Sequence, residues 1–212
     1  MKRIILLLTL IFMATTLKSE VLPQPQHNDS GMSLEQALRL RHTTREFDST
    51  RNLTMQQLSD LLWAAQGVNR PEEGKLTSPT AINKQEVAIY VFSRDDVRLY
   101  DPHKNTLDKI ADGDHRALAS RRGDFVQEFV LDAPVILVMV ADIAKFEMPI
   151  QPSMVMGAVD VGIVSQNINL FCAANGLATV PRACMDAAAI SQLLNLTPMQ
   201  VPVLNNPVGY AR

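Results

Sequence analysis

Residues 153–177, SMVMGAVDVGIVSQNINLFCAANGL, carry a single charged side chain, Asp160, and are apolar on nearly every helical face. A helix of that kind is stable only where protein encloses it. Gly157, Ala158 and Gly162 remove bulk from its surface, so another backbone can approach closely. A domain of this size has limited room to surround such a helix, and a second copy of the chain is the expected source of the remaining cover; the alternative is a helix packed entirely within its own domain. Asp160 is expected to be paired within the core, because an isolated buried carboxylate is costly.

The chain has 212 residues, which suggests one domain, and its formal charge of −2 provides no basic field that would gather nucleic acid. Its start differs from the rest. MKR, the apolar IILLLTLIFMATTL and then LKSE read as a signal peptide over residues 1–19, cut after Ser19 and implying export. The alternative is a retained N-terminal anchor, although the apolar run falls short of the roughly 20 residues a span requires. Residues 20–32, rich in Pro and Gln, read as a linker, and residues 33–212 as the folded domain.

Ser33 and Gln36 form a capping-box pattern ahead of a helix running to about Arg41, and Thr54 and Gln57 repeat it ahead of a helix stopped by Gly67. EVAIYVFS (86–93) and APVILVMVAD (133–142) read as strands, the second buried on both faces. The polar stretch 112–133 reads as an exposed helical excursion. A short strand near LATVPRA, a helix capped by Asp186 and a closing strand VPVLNNPVGY complete an α+β pattern. Cys172 and Cys184 are read as free thiols, and no His/Cys spacing suggests a metal.

Three loops stand apart: RHTTREF (41–47), SPTAINKQ (78–85) and TVPRACMD (179–186). In this order, with the long helix just before the third, they resemble the flavin-dependent nitroreductase family. The likeness runs from about Ser33 to Tyr210. It implies an α+β fold with a mixed sheet flanked by helices, the long helix at a homodimer interface, and FMN as cofactor. By that resemblance Arg41, His42, Thr43 and Arg45 would hold the phosphate and ribityl chain. Guanidinium forks suit phosphate oxygens, since charge-assisted hydrogen bonds are the strong ones. Pro79, Thr80 and Asn83 would contact the ring or ribityl chain from the other subunit. Pro181, Arg182 and Ala183 would line the ring, with the Ala183 N–H toward flavin N5. Arg212 would replace the phosphate-binding cations of a longer tail.

The chain departs from the family pattern in three places. Ala183-Cys184 stands where many members have Glu-Gly, the chain stops at VGYAR, and Glu86-Val87 replaces the usual Pro-Trp. The resemblance implies two-electron transfer through the flavin from NAD(P)H to a nitroaromatic, quinone or similar electron-poor acceptor, with no side chain as catalyst. The alternatives are a flavin-binding protein without turnover, or a flavin dehydrogenase using quinone or oxygen as acceptor, including one acting on peptide-derived heterocycles.

Overall fold

The computed structural model describes residues 18–26 and 32–212, so residues 1–17 of the expected signal peptide and residues 27–31 of the expected linker lie outside the described residues. In chain order the elements are β1 (Ser19–Val21), α1 (Leu34–Leu40), α2 (Met55–Gln66), β2 (Val68–Arg70), β3 (Lys75–Leu76), β4 (Val87–Phe92), β5 (Asp96–Asp101) and β6 (Thr106–Asp112). They continue with β7 (Arg121–Arg122), β8 (Phe125–Val126), β9 (Val135–Asp142), α3 (Ile150–Ala174), β10 (Ala178–Thr179), α4 (Ala187–Leu193) and β11 (Gln200–Gly209). One sheet has the strand order β1-β6-β5-β4-β9-β11-β10. The fold is α+β as expected. Every ladder in the sheet is antiparallel, however, where the resemblance implied a mixed sheet, because β4, β5 and β6 follow one another as a meander and β11 returns against β9.

Strand alternation splits the core into two layers. Val87, Ile89, Val91, Leu137 and Met139 face α2 and α3, whereas Tyr90, Phe92, Ile136 and Val138 face α4. Both capping boxes form: Ser33 Oγ accepts from the Gln36 N–H, and Thr54 Oγ1 from the Gln57 N–H. These fix where α1 and α2 begin, and therefore where the loop after α1 emerges.

By length and composition α3 would suffice to cross a membrane, yet it lies on the sheet. Ser153, Gly157, Asp160, Val161, Val164, Ile168 and Cys172 are buried along one side. Val155 and Val159 on another side are 56% and 57% exposed. One chain thus covers only part of a helix whose sequence asks for cover all round. The helix ends in a left-handed turn at Gly176 (φ 65°), where the Leu177 N–H reaches back to the Cys172 carbonyl at 2.9 Å.

Two expectations are corrected. The described part of the expected linker, residues 20–26, is not free: Glu20 pairs with Leu107 and Val21 with Thr106, Leu22 is buried, and the Pro23 carbonyl accepts from Ser59 Oγ at 2.6 Å. The stretch 112–133 is not a helix but two 3-10 turns around the β7–β8 hairpin. Gly123 takes φ 57° at the hairpin turn, and Arg116, 5% exposed, donates to the Leu131 and Ala133 carbonyls at 3.0 and 2.7 Å. A buried arginine saturating loop carbonyls replaces the ladder a helix would have made.

Gly157 is where α3 meets the sheet most closely, since a Cβ there would lie 2.9 Å from Ala141 Cβ. Gly157→Val should therefore cost about 1–3 kcal/mol by overpacking. Urea denaturation tests this, and an unchanged midpoint would mean that the helix–sheet contact is looser than described.

Candidate functional site

The first loop emerges from α1 with the Arg41 N–H on the Ala37 carbonyl. It is then pinned on both sides. The Thr44 N–H donates to the Thr179 carbonyl at 3.1 Å, and Phe47, 1% exposed, pairs with Ala211 in an isolated bridge. Between these pins Thr43 and Arg45 are exposed and Arg41 is half-buried. Neither guanidinium has a hydrogen bond or ion pair among the described residues. His42 is exposed, with Nδ1 donating to the Leu40 carbonyl at 2.7 Å. The Arg212 N–H donates to the Glu46 carbonyl at 3.2 Å, so the C-terminal arginine is tied to the first loop rather than frayed. The Thr50 hydrogen bonds lower the carboxyl pKa of Asp48, just beyond the first loop, and the Arg51 and Arg212 cations lower it further.

The third loop joins the same locality through its backbone. Arg182 exchanges both backbone hydrogen bonds with Asn205 of β11, at 2.8 and 2.7 Å. Ala183 follows, exposed, and its N–H has no partner among the described residues, while Pro181 is exposed on the other side. The Arg182 side chain does not face a ligand, in contrast to the expectation. It is 7% exposed, with Nη1 donating to Asn205 Oδ1 and the Ala119 carbonyl at 2.7 and 2.8 Å, and Nε and Nη2 to Gln127 Oε1 at 2.8 and 2.7 Å. Burial, and secondarily the Arg45 cation, lower its pKa from the ordinary arginine value. Its ring neighbour is Phe129, 5.6 Å away, which stacks on Phe47 from the first loop. The first and third loops are therefore parts of one packed unit.

Two residues of that unit went unread in the sequence. Asn205 and Asn206 are fully buried in β11. Asn205 Nδ2 donates to the Cys184 carbonyl at 3.1 Å, and Asn206 links Ser165 and Asn169 of α3 to Thr179 Oγ1. Two consecutive amides inside an otherwise apolar strand were the available signal. Cys184 is partly exposed and Cys172 buried, and both are free. Burial raises the Cys172 thiol pKa well above its ordinary value.

The second loop is elsewhere. Thr80 Oγ1 accepts from the Gln85 N–H at 2.9 Å, and Ile82, Asn83 and Gln85 all take positive φ (47°, 54° and 47°). A β-branched residue there is strained, and such strain concentrates at functional loops. Pro79, Ile82 and Asn83 are exposed. The loop is anchored on α3, where Asp160 Oδ2 accepts from the Ala81 N–H at 2.7 Å. From Asp160 to the C-terminal end of α3 is about 21 Å at 1.5 Å per residue. The first and third loops gather at that far end, so one chain does not bring all three together. The cleft beside His42 and Thr44 measures only ≈ 240 Å³, below the roughly 300–1,000 Å³ of small-molecule pockets.

Under the second loop lies Glu86, 1% exposed, where neither oxygen finds a donor in the ionised form. Burial first, and then Asp160 beside it, push its carboxyl up from 4.5 to about 7, against the opposing Lys145 cation. As a neutral acid Glu86 can donate a hydrogen bond to Asp160, whose Oδ2 accepts from the Ala81 N–H.

A nitroreductase family model matches residues 38–210. A Methanocaldococcus jannaschii protein with a provisional nitroreductase name is 31% identical over 194 residues, spanning 84% of this chain and 91% of that protein. A solved structure from Ralstonia eutropha JMP134, also provisionally named a nitroreductase, superposes with TM-score 0.83 at 33% identity, covering 93% of this chain and 91% of that one. A Parabacteroides distasonis structure, whose name includes NAD(P)H nitroreductase, superposes with TM-score 0.59 at 16% identity over 84% and 86% of the two chains, a likeness of fold.

Because the folded chain keeps the Glu86 proton between 4.5 and about 7 whereas the unfolded chain releases it, this group's stabilisation falls as pH rises through that window. Glu86→Gln, which cannot ionise, should gain on the wild type progressively from about pH 4.5 to about pH 7 and then level off. Denaturation curves at several pH values test the point; parallel stability profiles would show that Glu86 titrates normally.

Proposed function

The chain belongs to the nitroreductase family and is an oxidoreductase by family and fold, and from this premise we propose that it is an FMN-dependent enzyme working as a homodimer. Its donor is NAD(P)H and its acceptor a nitroaromatic, quinone or similar electron-poor small molecule. The observation that carries the reading is that Arg41 and Arg45, without partners among the described residues, lie on a first loop that packs at the end of α3, with Arg212 tied to it, and that the Ala183 N–H of the neighbouring third loop also has no partner among the described residues. That donor set suits a flavin mononucleotide, with guanidinium forks for a dianionic phosphate and a backbone amide for the ring edge.

When bound, FMN supplies the redox chemistry, taking two electrons from the donor and passing them to the acceptor. The protein's residues bind and orient. Arg41 and Arg45, with the Thr43 hydroxyl and Arg212, would hold the phosphate. The Ala183 N–H would donate to the ring at the position where charge develops, which is electrostatic stabilisation by a fixed dipole. Arg182 acts from behind, holding the third loop in register with β11.

Pro79, Thr80 and Asn83 would come from a second chain. An isologous dimer whose two-fold axis crosses α3 near Asn167, midway between Asp160 and Ala174, would set the middle of one helix against the end of the other, because two-fold symmetry reverses the partner helix. That arrangement would bring the partner's second loop across the roughly 21 Å that one chain leaves open. The Asn83 side chain, exposed on its strained turn, can donate and accept at a flavin edge. The donor class is supported by the family likeness and by the name of the Parabacteroides distasonis protein of the same fold. Export, suggested by the basic and apolar residues at the start of the sequence, belongs to the same proposal.

The combined Arg41→Ala and Arg45→Ala variant should fold but purify colourless, since each lost charged hydrogen bond removes about 1.5–3 kcal/mol of phosphate binding. Visible absorbance and far-UV circular dichroism check this together. A folded variant that retains one FMN per chain would sink the assignment of the first loop.

A further inference from the structure

The β7–β8 hairpin is not part of any of the three loops, yet it stands over the third. Its base is closed by the Gln127 N–H on the Ser120 carbonyl at 2.8 Å, and Arg182 grips both sides of that base through Ala119 and Gln127. The hairpin is therefore fixed to the same buried guanidinium that positions Ala183. At its tip Arg122 Nη2 donates to the Ala183 carbonyl at 3.2 Å. Arg122 is registered opposite Phe125, and cross-strand partners share a face. A guanidinium and an aromatic ring thus sit side by side on the face that meets Ala183.

Neither is consumed by the fold. Phe125 is 61% exposed, and Arg122 uses one donor on a neutral carbonyl and keeps the rest. Asp124 follows it in the hairpin turn, but no ion pair joins the two among the described residues. A planar fork with spare donors beside an uncovered ring complements an aromatic ligand that carries an anionic substituent.

We propose that the β7–β8 hairpin is the acceptor-binding lip of the site, with Arg122 pairing to a carboxylate on an electron-poor aromatic acceptor whose ring packs on Phe125. This rests on the FMN reading of the same site and names the acceptor class that the reading leaves general. For a nitro acceptor the step consumes two electrons and two protons, and leaves a nitroso group and one water. Arg122 takes no part in that transfer; it selects and orients the molecule that receives it.

The test uses the full protein with FMN bound, reduced anaerobically with dithionite so that no pyridine nucleotide is involved. It is mixed with para-nitrobenzoate or para-nitrobenzamide, and the return of flavin colour gives a second-order rate constant for each. The ratio of the two constants cancels intrinsic reactivity when variants are compared. In Arg122→Gln the nitrobenzoate-to-nitrobenzamide ratio should fall about tenfold, the loss expected for one charged hydrogen bond. In Arg122→Lys, which keeps the charge without the fork, the fall should be smaller. A ratio unchanged within about twofold in Arg122→Gln overturns the proposal while leaving the flavin reading intact. A protein that takes up no FMN overturns the flavin reading and this inference with it.

Discussion

One helix sets the geometry of everything else. α3 is 25 residues long, anchors the second loop at Asp160, and at its far end delivers the chain to the third loop, beside which the first loop packs. At 1.5 Å per residue, the rigid rod between those points holds the two halves of the site about 21 Å apart. No side-chain motion closes such a gap. Val155 and Val159 on the same helix are left exposed by this chain. The proposed homodimer would answer both the uncovered apolar surface and the separated loops at once.

Within each half, precision comes from buried polar groups. Arg182 and Asn205 share two backbone hydrogen bonds and one between side chains, and Asn206 ties α3 to β10. Buried donors left unmatched would cost more than their pairing contributes, so these contacts define one arrangement of the third loop. The second loop is held by Asp160 above Glu86, whose carboxyl burial pushes up to about 7.

Much of this was readable from residues. Ser33, Gln36, Thr54 and Gln57 announced both capped helices, and the unbroken apolar run at 135–142 announced the central strand. The three loops were visible as motifs. What failed has local causes. Residues 112–133 look helical by polarity, but Gly123 at positive φ and a buried Arg116 commit them to turns. Segment 96–112 alternates charge with apolar residues around Asp101-Pro102, and was not singled out as the β5–β6 hairpin. Arg182 was read as facing a ligand because a charged residue in a functional loop invites that reading. Its inward turn depends on the Gln127 and Ala119 partners, more than fifty positions away in sequence.

The shared site is tested most directly by where the colour goes. Analytical ultracentrifugation of the protein in excess FMN, followed in visible light, should show all bound flavin moving with a two-chain species and none with a single chain. Flavin carried at full occupancy by single chains would contradict a site split between partners.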